Sequence, residues 1–117
     1  MAKYYELPVY KASYDLLLEI FHFTKEFKRE YKYTVGESLK KEMLEMITYI
    51  YQANSKRDKQ ETLQLAREKI EVIRLFVRMM KDLHEISLKR FVQVNKQIEN
   101  VSRQLTGWQK SKKELTV

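Results

Sequence analysis

A chain of 117 residues with only two glycines and one proline cannot turn often. Glycine supplies the left-handed conformations that turns need, and proline interrupts helices and sheet ladders. Their scarcity points to a few long elements. The abundance of Leu, Lys, Glu, Gln, Met and Arg makes those elements helices. No stretch shows the strict alternation of a half-buried strand, and no segment repeats another. With 44% apolar residues the chain can bury one core, and its length suits one domain, 1–117. The expected fold is all-α: an antiparallel up-down-up-down four-helix bundle whose short loops make sequence neighbours pack side by side.

The breaks divide the chain into helices at about 8–30, 36–53, 58–83 and 88–107. Pro8 suits a first turn, where its missing N–H has no partner to lose. The first break is Tyr31-Lys32-Tyr33-Thr34-Val35-Gly36. Thr34 is the expected N-cap of the second helix, with Glu37 as its capping-box partner. Along that helix Leu39, Met43, Met46, Ile50 and Ala53 recur in steps of four and three, which places them on one face. Asn54 to Asp58 form the next turn. Ser87 is the expected N-cap of the fourth helix, and Gly107 its expected left-handed stop. The tail, 110–117, is polar and expected to fray.

The third helix has two apolar faces. Leu63, Ala66, Ile70, Ile73, Val77 and Met80 form the seam toward the other helices. Leu65, Val72, Leu75, Phe76, Met79 and Leu83 lie on roughly the opposite side, where a helix at the surface of a monomer is normally polar. The first helix is apolar nearly all round, through Leu16, Leu17, Leu18, Phe21 and Phe23. A second apolar face needs a second partner, so the bundle is expected to be a subunit of a homo-oligomer. The Leu65–Leu83 set is its expected interface.

Charge is unevenly placed. Residues 1–58 carry ten Lys/Arg against nine Asp/Glu, net +1; residues 59–117 carry thirteen against seven, net +6. On the third helix Arg67, Arg74 and Lys81 are seven apart, Arg78 lies a turn beyond Arg74, and Glu71 borders them. On the fourth, Lys89, Lys96, Arg103 and Lys110 are seven apart. One such stripe is ordinary on a solvated face. Two on consecutive helices suit a polyanion, RNA or DNA, held through its phosphates with little regard to sequence.

Other chemistry is poorly provided for. There is no Cys for disulfides, thiolate metal sites or a thiol nucleophile. Glu19-x-x-His22 is half of a di-iron bundle motif, but the only other histidine, His84, has Lys81 three residues before it. No catalytic residue, cofactor or metal is expected, and the protein reads as no enzyme. No apolar run approaches the ~20 residues of a membrane span, and the N-terminus lacks the apolar core of a signal peptide. A cytoplasmic protein without membrane attachment is expected. Trp108 and the tyrosines can stack on bases, but helix contacts are the commoner use of such side chains.

Four runs carry a family resemblance. Leu7-Pro8-Val9-Tyr10-Lys11-Ala12 leads the first helix and Tyr33-x-x-Gly36-x-x-Leu39 opens the second. Ile73-Arg74-Leu75-Phe76-Val77-Arg78 lies in the third, and Gly107-Trp108 closes the fourth. In this order and spacing, over about residues 7–110, they resemble the accessory variability determinant proteins of diversity-generating retroelements. That resemblance implies a homopentameric barrel with a positively charged surface and pore. It implies binding to the element's reverse transcriptase and to RNA or DNA, in support of mutagenic cDNA synthesis and retrohoming. Arg74 and Arg78 match the family's paired basic positions.

A sister family, the bundle protein encoded in 23S rRNA intervening sequences, shares the opening of the first helix. Its Ser-Ile-x-x-Asn-Ile-Ala-Glu-Gly run is replaced here by Ile47-Thr48-Tyr49-Ile50-Tyr51-Gln52-Ala53-Asn54. That protein, or an oligomeric scaffold that binds only protein, is the alternative.

Overall fold

The computed structural model describes residues 3–115, with side chains for 3–111. Four long helices carry the structure: α1 (Pro8–Thr24), α2 (Glu37–Ser55), α3 (Gln60–Asp82) and α4 (Leu88–Leu115). A 3-10 turn (Tyr4–Glu6) precedes α1, and a helical turn (Arg29–Tyr31) leads through a π-helical turn (Lys32–Gly36) into α2. No strand occurs among the described residues. Each helix packs mainly on two neighbours, in the order α1, α2, α3, α4 and back to α1. Thus α1 and α3 lie on one diagonal of a body measuring 48 × 21 × 21 Å.

The inner faces follow from local periodicity. Leu63, Ala66, Ile70, Ile73, Val77 and Met80 of α3 are buried, as are Leu39, Met43, Met46, Ile50 and Ala53 of α2. Val94, Ile98, Val101 and Leu105 of α4 meet them, with Leu16, Ile20 and Phe23 of α1. Each of the larger side chains contributes roughly 1.5–3 kcal/mol through removal of its apolar surface from water. One ionic cluster ties α2 to α3: Lys69 Nζ lies 2.8 Å from Glu42 and 2.7 Å from Glu45. The Glu42 and Glu45 carboxylates push the Lys69 ammonium up, and the hydrogen bond from Lys69 holds Glu45 below the usual carboxylate range.

The first break lies earlier in the chain than its composition suggests. α1 ends at Thr24, whose hydroxyl bonds back to the Ile20 carbonyl at 2.7 Å. The chain steps out and restarts at Arg29, because the Glu85 carboxylate accepts the Lys28 N–H at 2.6 Å. Thr34 is therefore not an N-cap. The backbone is already helical there, and its hydroxyl bonds back to Glu30 O at 2.7 Å.

The other loops are closed by identifiable groups. The Lys59 ammonium caps the end of α2, donating to Ala53 O at 2.6 Å, to Asn54 O at 3.3 Å and to Lys56 O. The Asp58 carboxylate accepts the Gln60 N–H at 3.1 Å. At the end of α3, His84 takes φ 64°. Its N–H bonds Lys81 O and the Glu85 N–H bonds Met80 O, the two-bond Schellman closure. The Ser87 hydroxyl caps α4 by accepting the Arg90 N–H at 3.1 Å.

Gly107 does not end α4. The helix runs on to Leu115, so the segment from Lys110 is helical rather than frayed; Thr116 and Val117 lie outside the described residues. Two contacts hold the last turns. Trp108 packs against the edge of the core, beside Leu7, Pro8 and Val9. Gln109 and Gln60 exchange amide hydrogen bonds, Gln60 Nε2 to Gln109 O at 2.9 Å and Gln109 Nε2 to Gln60 O at 3.0 Å. Gly107 itself faces open space.

Candidate nucleic-acid interface

The two basic stripes have different surroundings. At about 100° per residue, Arg67, Arg74 and Lys81 lie only about 60° from the centre of the α3 inner face. That direction leads into the groove against α4. Arg67 Nη1 donates to Gln109 Oε1 at 2.6 Å. Arg74 is held by Glu71 at 3.2 Å and by Glu99 of α4, with 31% of its side chain exposed. The Lys81 ammonium sits 5.3 Å from the centre of the Phe91 ring and 3.6 Å from Asp82. These three side chains join helix to helix. Arg78 differs: 74% of its side chain is exposed, with Asp82 no nearer than 4.0 Å.

The α4 stripe points the other way. Lys89, Lys96, Arg103 and Lys110 stand about 180° from Val94, Ile98, Val101 and Leu105, and all four are exposed. None makes a hydrogen bond or ion pair among the described residues. Steps of seven residues separate them by about 10 Å, so the row extends for about 30 Å. The one carboxylate between residues 88 and 111 is Glu99, and Arg74 occupies it. The remaining cation of that stretch, Arg90, is turned toward α1, 3.6 Å from Glu19 and 3.1 Å from Glu26. The outcome is a continuous row of unneutralised cations, suited to phosphates spaced along a strand.

Two apolar strips face outward. On α3, Leu65, Val72, Phe76 and Met79 are half-buried, Leu75 is 62% exposed and Leu83 is exposed. Phe76 and Met79 pack partly against the edge of the core. The start of α4 adds exposed Leu88 and Val92. A second strip lies on α1 and α2, through Tyr14, Leu18, Phe21, Leu44 and Tyr51. Leu44 and Tyr51 are seven apart and off the inner face, a signal present in the sequence but outweighed there by the third helix. The Lys40 ammonium lies 5.4 Å over the Phe21 ring between these helices.

Glu19 and His22 are drawn into different surroundings. Glu19 serves Arg90, His22 is exposed, and no group of three or more potential ligands gathers among the described residues. No helix among those residues is long and apolar enough to cross a membrane.

This is an all-helical bundle with one row of free cations and two outward apolar strips. The family model described as bAvd-like matches residues 8–112, and the chain belongs to that family. It is an accessory, non-catalytic family. No curated protein matches the sequence.

Proposed function

We propose that the protein is a non-enzymatic accessory subunit of a diversity-generating retroelement. Its bundle, up-down-up-down with antiparallel neighbours, assembles as a homo-oligomer, binds RNA or DNA, and works beside the element's reverse transcriptase in mutagenic cDNA synthesis and retrohoming. The observation that carries nucleic-acid binding is the row Lys89, Lys96, Arg103 and Lys110, exposed and without a partner among the described residues. Arg78 adds a fifth accessible cation on α3. Arg67, Arg74 and Lys81 support the site from behind: they hold α4 in place, and Arg74 removes the Glu99 charge from the row.

The two apolar strips support assembly. They lie on different sides of the bundle, so pairing one strip with the other joins copies head to tail. Head-to-tail pairing of that kind closes rings; five copies is the number the family resemblance implies. Repetition around a ring multiplies weak phosphate contacts into useful affinity.

Gene neighbourhood and co-purification test the role. A reverse-transcriptase gene and a template/variable repeat pair are expected beside this gene, and the co-expressed enzyme is expected to retain the accessory protein through purification. Absence of both genomic features contradicts the retroelement role.

A further inference from the structure

The groove between α3 and α4 opens into a pocket of about 310 Å³ beside the last turns of α4. Gln60, Gln64 and Arg67 line it from α3, and Thr106, Gln109 and Lys110 from α4. Every one of these residues carries an amide, a hydroxyl or a cation, and no carboxylate lines the pocket among the described residues. It shares no residue with either apolar strip.

Some of this hydrogen-bonding capacity holds the walls in place. Gln109 Oε1 accepts from Arg67 Nη1 at 2.6 Å, and Gln109 Nε2 donates to Gln60 O at 3.0 Å and to Gln64 Oε1 at 3.3 Å. Gln64 Nε2 donates to Glu68 at 3.4 Å. Much of the capacity is left over. A guanidinium has five N–H groups. Arg67 spends one on Gln109, and the other four have no partner among the described residues. The Lys110 ammonium and the Thr106 hydroxyl have none there either. The pocket therefore presents unused donors on a frame that its own bonds fix. It also adjoins the cation row. Lys110 belongs to both, and Thr106 stands three residues from Arg103, about 60° round α4 toward α3.

We propose that this pocket takes one unpaired guanine of a nucleic-acid strand whose phosphates lie on the α4 row. A backbone that follows Arg103 and Lys110 has its bases within reach of the groove. Arg67 meets O6 and N7, two neighbouring acceptors whose spacing suits a guanidinium. The Thr106 hydroxyl and Gln64 Oε1 are acceptors for the N–H groups of the base. Adenine carries an amino donor where guanine carries O6, which would set donor against donor. A base in a duplex is paired and stacked, whereas one in a single strand can turn out into a pocket. The row reads phosphate alone, and the pocket adds a base preference to it. This rests on the nucleic-acid reading above and deepens it.

The test measures binding of labelled single strands of about twelve nucleotides, built from the repeats TTG, TTA or TTT and made as DNA and, with U for T, as RNA. Wild type is compared with Arg67→Gln, Gln64→Ala and Thr106→Val across a salt series. Gln64 and Thr106 are exposed, so their variants keep the test open if Arg67→Gln fails to fold. Wild type is expected to bind the TTG strand about tenfold more tightly than the other two. Arg67→Gln is expected to abolish that preference, and each of the other variants to cut it about threefold. Salt slopes are expected to stay at the wild-type value, because no phosphate contact is lost. A TTG strand with 7-deazaguanine, which lacks the N7 acceptor, is expected to lose most of the preference. Equal binding of the three strands by wild type overturns the pocket and leaves the phosphate row standing. A guanine preference that survives in every variant and with 7-deazaguanine overturns it too. Free guanosine monophosphate that displaces the TTG strand at equal concentration overturns the strand as occupant. Wild type that binds no strand at low salt overturns both readings.

Discussion

Gln60 and Gln109 hold each other through both side-chain amides, at 2.9 and 3.0 Å, across 49 residues of sequence. This clasp joins the first residue of α3 to the part of α4 beyond Gly107. It keeps α4 regular past a residue that ends many helices, and so keeps Lys110 in line with Arg103. Arg67 leans on the same Gln109 side chain. One glutamine thus connects the helix-to-helix stripe of α3 to the exposed row of α4.

Gly107 and Gln109 are expected to respond in opposite directions. A Cβ at Gly107 meets nothing within 4 Å, so Gly107→Ala should stabilise the protein by about 1 kcal/mol in thermal or urea unfolding. Gln109→Ala removes the bonds of its own side chain to Gln60 O and from Arg67, leaves Gln60 Nε2 on the Gln109 carbonyl, and should cost about 1–2 kcal/mol. It should also raise hydrogen exchange beyond residue 107 more than elsewhere in α4.

His84 is the one non-glycine residue with positive φ among those described. A Cβ is disfavoured in that conformation, and glycine is the usual occupant of this position in a Schellman closure. His84→Gly should therefore raise stability by about 1 kcal/mol, while His84→Val should lower it. Equal melting temperatures for the two variants would count against the closure.

The Lys69 cluster has a defined pH window. Glu45 titrates below its ordinary value, so its contribution is complete above about pH 4.5 and is lost as pH falls through its lowered value. Lys69 titrates above its ordinary 10.5, so its contribution is complete below that pH and is lost at still higher alkalinity. Lys69→Met should cost about 1 kcal/mol at pH 7. That difference from wild type should shrink in urea unfolding as the pH is taken down through the lowered range of Glu45.

Assembly is expected to depend on Leu75, which contributes little to its own bundle. Leu75→Glu should leave the helical circular-dichroism signal and melting of the subunit nearly unchanged. In light scattering it should shift the wild-type oligomer toward the 14.3 kDa subunit. A wild-type protein that is monomeric at micromolar concentration contradicts the assembly.

Some of this structure is legible in the sequence because its cause is local. The inner faces of α2 and α3 follow from spacing alone, and Ser87 caps the helix it precedes. What local reading misses is set by distant partners. The restart at Arg29 depends on Glu85, 57 residues from Lys28, and the persistence of α4 past Gly107 depends on Gln60. Seven-residue spacing places Arg67, Arg74 and Lys81 on one side of α3, but only the position of α4 turns that side into a helix contact. The α4 row is readable by angle, since Lys96 and Arg103 stand opposite Ile98 and Val101. Leu44 and Tyr51 are hard to read from spacing, because they stand as isolated apolar residues on the otherwise polar outer side of α2.

The central claim is that α4 presents the phosphate-binding row while the α3 stripe mainly joins helices. The most direct measurement is the salt dependence of duplex binding. It compares wild type, a variant with Lys89, Lys96, Arg103 and Lys110 changed to Gln, and the single variant Arg67→Gln. Each phosphate contact contributes about 0.9 to the slope of log affinity against log salt. The fourfold variant should lose about 3.6 from that slope, and Arg67→Gln should keep the wild-type slope even if its stability falls. An unchanged slope in the fourfold variant would contradict the account.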